Sequence, residues 1–539
     1  MQKKQSKKQG ELALQGRQGE RLTSLLAYLI ALASGILMGL TVAPVGAWFL
    51  AWIALVPLWV LVVTSAKGKN QSPPASPALF WGIGYHGVAL SWITGIHPMT
   101  WLGVPWLPSL AITLFCWGFI SVLGGVFVSI WAAVMVRLNG QKPWLRVLIG
   151  TAVWCGLESL WSAGPLWWSS LAYTQSPHNL LILHLGQLSG PNTVTAAIAS
   201  VNGLIAEGWM NRQNAKISSA PLRFVNKYWV IATGLLITLH LIGFILYSRP
   251  IAQLPEAALK VGIVQGNIPN RLLRSSEGFR RAQENYTNGY LTLADQGVDA
   301  VLTPEGALPI FQRNLLGTAL VAAVKEKGVV AWIGAFGERG DSYTISLFTF
   351  NSKGEIVSRY DKSKLVPLGE YIPFEEILGG IVQRLSPLEA HQVPGSTNQI
   401  FDTPFGRAIA SICYESAFPE QFRRQAAAGG QFIVSSSNDA HYTASMPFQH
   451  HAQDIMRAIE TDRWSARATN TGYSGFIDPH GKTLWISGYN TYETHAETIY
   501  RRQTQTLYVR WGDWLTPLLL ISSGGAWLLI QLVGIQKNQ

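Results

Sequence analysis

Charge is what this chain has least of. Only 13% of its 539 residues are Asp, Glu, Lys or Arg, against 48% hydrophobic residues, whereas a soluble domain carries about 25% charged residues. That balance excludes an ordinary soluble protein and puts most of the chain in a bilayer. Cysteine is nearly absent. Cys116 and Cys155 lie in apolar runs, where a thiol behaves as a small hydrophobe, and Cys413 stands alone in the hydrophilic part of the chain. A lone thiol there cannot form a disulfide within its own domain, so it is either incidental or reactive. The net charge of +11 could point to nucleic acid, but the basic residues form no single patch with interleaved aromatics. No nucleic-acid partner is expected. His86, His184 and His240 are scattered without ligand spacing; they read as hydrogen-bonded packing residues, and neither a metal nor a cofactor is expected.

Apolar sequence, by contrast, is abundant. Residues 22–66, a run of 45, contain none of the four charged types, nor do residues 70–136, and residues 147–206 hold only Glu158. One membrane span needs about 20 apolar residues. "APVG" (43–46), "HPMTWLGVPWLP" (97–108) and "AGPLWWSSLAYTQSPH" (163–178) divide each run in two. Two further runs lie at 228–248 and 514–535. The fold reading is thus an α-helical membrane bundle of eight spans, at 24–43, 47–65, 77–95, 109–136, 146–162, 178–206, 228–248 and 514–535, plus an α/β domain. Trp101, Trp106, Trp161, Trp167 and Trp168 cluster at run ends, as rings at the headgroup level do.

Lys and Arg fall in alternate connections. The tail carries Lys3, Lys4, Lys7, Lys8, Arg17 and Arg21. The second, fourth and sixth connections carry Lys67 and Lys69, then Arg137, Lys142 and Arg146, then Arg212, Lys216, Arg223 and Lys227. The first, third and fifth carry none. The positive-inside rule then puts both termini in the cytoplasm. Residues 1–23 become a cytoplasmic basic tail, 24–248 a membrane domain of seven helices, 249–512 an extracytoplasmic domain and 514–535 the eighth helix. "ALA" at 31–33 resembles a signal-peptide cleavage site, but the apolar run continues through "SGILMGLTVA", so an uncleaved span is expected. "GILMG" at 35–39 has the small-xxx-small spacing of close helix packing and carries no functional weight. Glu158 is an intramembrane acid, a functional candidate by its cost and equally a packing residue.

Residues 249–512 alternate strand-like and helical patterns. "LKVGIVQGN" (259–267), "DAVLTPEG" (299–306), "VVAWIGAFG" (329–337), "YTISLFTFN" (343–351), "RAIASICYE" (407–415) and "QFIVSSSND" (431–439) read as strands. Helical patterns at 276–296, 314–327, 419–429 and 449–468 separate several of them. A reactive Cys413 needs a base and a cation at neighbouring strand ends. Glu305, flanked by Pro304 and Gly306, ends one strand and suits a general base. Lys362 precedes another loop, which carries Glu370; its ammonium, with the backbone N–H of Tyr414, suits oxyanion stabilisation. Glu415 lies two positions beyond the thiol, and on a strand it would point to the same face. There its charge would oppose a thiolate unless paired.

The succession of Glu305, "KSKLVPLGEYIP" (362–373), "ICYE" (412–415) and "SNDA" (437–440) resembles the nitrilase superfamily with its Glu-Lys-Cys triad. With the spans around it and "QGNIP" (265–269), the chain resembles the bacterial apolipoprotein N-acyltransferase family, the membrane-embedded branch. That resemblance implies an αββα sandwich on eight helices in the inner (plasma) membrane, facing the periplasm. It implies Glu305 as general base, Lys362 as oxyanion lysine and Cys413 as nucleophile, with Glu370, Tyr414 and Glu415 supporting. It also implies a ping-pong reaction, in which Cys413 takes an acyl chain from a phospholipid as a thioester and passes it to the amino group of a lipoprotein's diacylglyceryl-cysteine. A monomer is expected. Departures from the family pattern are Lys364 where a His is frequent, "HYT" (441–443) after "SNDA", and Arg274 near a usual Trp. The other readings are a membrane-tethered amide hydrolase and a non-enzymatic lipid-binding or transport protein.

Overall fold

A computed structural model describes residues 24–65, 75–100, 103–217, 226–272, 275–367, 369–371 and 392–538. The basic tail 1–23, Lys67, Lys69, Arg223 and Arg274 lie outside the described residues. Helices occupy each region where the sequence predicts a span. They are α1 (Ser24–Gly39), α2 (Val56–Ser65), α3 (Ala75–Ala89), α4 (Trp106–Arg137), α5 (Pro143–Ser162), α6 (Pro191–Ile217) and α7 (Lys227–Tyr247), with the C-terminal helix Leu515–Asn538 closing the chain. Four stretches, Trp48–Ser65, Trp106–Arg137, Lys227–Tyr247 and Leu515–Val533, are long and apolar enough to cross a membrane. The span expected at 178–206 is not one helix. Two short turns, Leu180–Leu183 and Gly186–Ser189, precede α6. Gly190, at a φ of +74, breaks the chain, and Pro191 starts the next helix, where its missing N–H costs nothing.

Small residues let these helices approach. A side chain at Gly35 would strike the backbone of Trp81, and one at Gly82 would strike Gly125. The "GILMG" spacing therefore sits at the α1–α3 contact, a packing role. Trp59, Trp81, Trp131 and Trp154 interlock at the bundle centre, with Trp81 and Trp154 edge to face at 5.7 Å. Near the ends of α5 and α6 a buried Arg146–Glu207 pair ties the two helices, and Arg146 also donates to the Asn139 carbonyl at 3.1 Å.

Beyond α7 the chain builds two six-stranded sheets. One runs β12-β1-β2-β3-β4-β5 and the other β11-β10-β9-β8-β7-β6. In the first, β1 (Ala258–Gln265), β2 (Ala300–Leu302) and β3 (Val330–Arg339) are parallel; β4 (Ser342–Phe350), β5 (Ile356–Asp361) and β12 (Glu493–Tyr500) join antiparallel. In the second, β7 (Gly406–Ile412), β8 (Ile433–Ser437) and β9 (Ser465–Thr469) are parallel. β6 (Phe401–Thr403), β10 (Gly475–Ile477) and β11 (Thr483–Ile486) complete it antiparallel.

Period-2 alternation explains the layering. Val261, Ile263, Leu302 and Trp332 of one sheet and Ala410, Ile412, Val434 and Ala466 of the other meet in a common core. The alternate residues Val264, Val301 and Ile333 face away, onto α8 (Ser276–Asp295) and α9 (Ala319–Lys327). Ile409 and Ile433 likewise pack on α10 (Pro419–Ala427), through Phe422 and Ala426. β1, β2, β3, β7 and β8, buried on both faces, read as near-continuous apolar runs in the sequence. β9, with the sequence SARAT, instead overlaps the helical pattern expected at 449–468, where the helix in fact ends at Thr461.

Candidate active site

Three chain exits converge. β2 ends at Leu302, and Thr303-Pro304 deliver Glu305 just before Gly306, whose φ of +57 makes the sharp turn. β5 ends at Asp361 and delivers Lys362, whose side chain is 0% exposed. The Lys362 ammonium donates to Glu305 Oε1 at 2.8 Å and to Glu370 Oε1 at 2.6 Å. The second oxygen of each carboxylate is also held: Asn438 N donates to Glu305 Oε2 at 3.0 Å and Val366 N to Glu370 Oε2 at 2.8 Å. Burial works against the ammonium's charge, but Glu305 and Glu370 outweigh it and hold the Lys362 pKa well above the ordinary lysine value. Burial pushes the Glu370 carboxyl up, against the pull of Lys362.

Cys413 follows β7 directly and has a φ of +52, a left-handed conformation rare for a residue with a side chain. The strand therefore ends at Ile412, three residues earlier than the sequence predicts, and a 3-10 turn runs over Cys413–Ala417. Glu415 secures this turn. Its Oε2 accepts from Ile412 N at 2.7 Å, and its Oε1 accepts from Ser363 N and Ser363 Oγ, each at 2.7 Å. Tyr360 Oη adds a bond at 3.0 Å. The expectation that Glu415 shares a strand face with the thiol is corrected: in the turn its carboxylate is spent tying the Cys413 turn to the loop after Lys362. Burial raises the Cys413 pKa well above the ordinary 9.0, Glu305 adds to the shift and Lys362 opposes it. A thiol in these surroundings would need a base to act as a nucleophile.

Tyr414 joins the site to the membrane helices. Its hydroxyl lies 2.7 Å from both the Pro165 and Trp167 carbonyls, and its ring stacks on Trp168 at 6.0 Å. Its backbone N–H is the one next to the thiol. Trp161, Trp167, Trp168, Phe418 and Met446 form an apolar wall with it. Trp167 Nε1 donates to the Ala417 carbonyl at 3.0 Å, so the wall and the Cys413 turn are one unit. Glu158 holds that wall from below, accepting from Trp154 Nε1, Ser170 Oγ, Leu171 N and Thr195 Oγ1 at 2.6–3.1 Å. Four donors on one carboxylate make it a tie between α5, the 168–171 segment and α6.

Comparison with known proteins settles the family. The apolipoprotein N-acyltransferase N-terminal domain matches residues 34–204, and the carbon-nitrogen hydrolase family matches residues 260–507. An apolipoprotein N-acyltransferase of Nostoc sp. is 75% identical over 495 residues, 91% of this chain and 97% of its own length. The chain belongs to the apolipoprotein N-acyltransferase family. A Synechocystis sp. member is 47% identical over 516 residues, covering 91% of this chain and 98% of its own, and a Pseudomonas aeruginosa member is 29% identical over 486. Among solved structures, an amidase of the nitrilase superfamily from Nesterenkonia aligns at 18% identity over 48% of this chain and 96% of its own, with a TM-score of 0.35.

This family member also has polar groups around the thiol that the sequence reading left without a role. Asp439, at the exit of β8, and His450, on α11 (Ser445–Thr461), are both 0% exposed, with Asp439 Oδ1 3.3 Å from His450 Nδ1. Cys413 Sγ and donor atoms of these two residues lie within 4.8 Å of one another. Among the described residues they form the one group of His, Cys, Asp and Glu side chains spaced to hold a metal ion. Asp439 lay in view within "SNDA". His450, 11 positions on, reads as one more packing histidine in an amphipathic helix, and only the tertiary fold pairs the two. Lys364 places its ammonium 4.7 Å over the Phe418 ring, at the edge of the apolar wall. His86, His184 and His240 hydrogen-bond to Ser169 Oγ, the Leu180 carbonyl and the Leu236 carbonyl, in line with packing roles.

Proposed function

We infer that this enzyme transfers an acyl chain from a phospholipid, through a thioester on Cys413, to the α-amino group of a lipoprotein's diacylglyceryl-cysteine. The observation that carries the reading is the buried Glu305–Lys362–Glu370 ion cluster beside Cys413, built against an aromatic wall of the membrane helices. Glu305 takes the thiol proton as sulfur attacks the ester carbonyl, and returns it to the departing lysophospholipid oxygen. The Lys362 ammonium and the Tyr414 N–H stabilise the oxyanion. The amine then attacks the thioester, its proton passes to Glu305, and the thiol is restored. Glu370 holds Lys362 in place. Low exposure at Lys362 (0%), Cys413 (5%) and Glu305 (7%) keeps water from competing with the amine. The hydrolase and transport readings are disfavoured by the match to apolipoprotein N-acyltransferases over most of the chain.

Purified protein given labelled phospholipid and a diacylglyceryl lipopeptide should yield lysophospholipid and N-acylated lipopeptide in equal amounts. Free fatty acid as the main product would instead indicate a hydrolase.

The membrane organisation belongs to the same proposal: eight spans, both termini cytoplasmic, and residues 249–512 as a catalytic domain on the periplasmic side of the inner membrane. A monomer is part of the same proposal. Reporter fusions after Met210 and after Ala300 should report opposite sides of the membrane. Finding both on one side contradicts this topology.

A further inference from the structure

We propose that Cys413, Asp439 and His450 form a binding site for a zinc-class divalent cation, which switches the nucleophile off reversibly. The inference rests on the reading of Cys413 as nucleophile for its consequence, but not for the binding itself. Four observations support it. The three donors lie within 4.8 Å of one another, a spacing that small side-chain rotations close to the distances of a tetrahedral site. They are 5%, 0% and 0% exposed, so the ion would be held away from water. The donor set of one sulfur, one imidazole nitrogen and one carboxylate is that of a borderline-soft ion such as Zn²⁺, and not of Mg²⁺ or Ca²⁺. Finally, His450 Nε2 is buried with no hydrogen-bond partner, and Asp439 Oδ2 has only Arg467 at 3.9 Å, itself engaged by Asp454 at 2.5 Å.

The local charge is also suited. The charged groups acting most strongly on the thiol are Glu305, Lys362, Asp439 and Glu370. With all four ionised, three carboxylates face one ammonium. Arg467, 3.9 Å from Asp439, is itself paired with Asp454 at 2.5 Å; with this pair included, four carboxylates face two cations, and the surplus of two negative charges matches a dication. Binding exchanges a proton for the metal: the Cys413 S–H bond breaks, an S–metal bond forms, and the proton passes to buffer. No redox step is involved. Coordination draws electron density from the sulfur and holds it on the ion, away from the ester carbonyl, so its nucleophilicity falls and acyl loading is suppressed. Chelation restores it.

The test uses the full-length, detergent-solubilised protein with ZnCl₂ as probe. Calorimetry should find one site per chain with release of a proton, and X-ray absorption should show one sulfur together with nitrogen or oxygen ligands. Zn²⁺ should block thioester formation, a chelator should restore it, and Mg²⁺ at equal concentration should do neither. His450→Gln and Asp439→Asn should each weaken Zn²⁺ binding at least tenfold. Wild-type protein that binds no Zn²⁺, a bound ion with no sulfur or with two, or unchanged affinity in both folded variants would overturn the proposal. The wild-type absorption measurement decides the matter even if a variant fails to fold. Zn²⁺ binding without any thioester in metal-free protein would instead count against the proposed function.

Discussion

Cys413→Ala should carry no acyl label after incubation with phospholipid and should transfer nothing to a diacylglyceryl lipopeptide. Its loss should take the rate to background because no other group can form the thioester. Cys155 is buried among membrane helices, its Sγ facing the Asn192 carbonyl at 3.7 Å, and Cys116 sits on α4; neither meets the ion cluster. Cys116→Ala and Cys155→Ala should accordingly keep nearly full activity. Cys413→Ser should give a slower oxygen ester. The substitution to Ala is nearly isosteric in a site 5% exposed, and Glu415 still secures the turn, so the melting temperature should change little. A large fall in stability would mean that lost activity reports unfolding rather than lost chemistry.

Glu305→Gln should suppress acyl loading by about 10²–10⁴, the usual worth of a positioned general base, because an amide cannot take the thiol proton. Lys362→Ala should also disable the enzyme, by about 10²–10³ for the lost oxyanion donor, but it should damage the fold as well. Its removal leaves Glu305 and Glu370 buried with no counter-charge, and breaking one partner of a buried pair costs about 3–5 kcal/mol. Glu305→Gln leaves Lys362 paired with Glu370 at 2.6 Å and should be much milder on stability. Activity assays paired with melting curves should therefore separate the two: both variants inactive, only Lys362→Ala strongly destabilised. Because the groups act as one unit, Glu305→Gln combined with Cys413→Ala should be no worse than Cys413→Ala alone.

Much of this site was legible because strand ends are marked by composition. Glu305 follows an apolar run and sits between Pro304 and Gly306, and Cys413 follows "RAIASI". What was not legible is set by contacts between distant segments. The strand pattern through "ICYE" gives no sign that the chain turns at Cys413. The turn is fixed by Glu415 reaching Ile412 N, Tyr360 and Ser363, the last two more than 50 positions away. Asp439 and His450 escaped for the same reason, since a histidine on a helix announces no partner. In the membrane part, hydropathy located each helical region but not the break at Gly190, because that stretch carries no charged residue and the charge-free run continues on both sides of it.

The central claim is that Cys413 carries the acyl chain, and mass mapping tests it most directly. Wild-type protein is incubated with phospholipid alone, digested, and the peptide holding "SICYESAFPE" is weighed with and without hydroxylamine. An acyl adduct on Cys413 that hydroxylamine removes, and that disappears when diacylglyceryl lipopeptide is added while the N-acylated peptide forms, is the result expected. Transfer that proceeds with no adduct on Cys413, or with the adduct on another residue, would contradict the account.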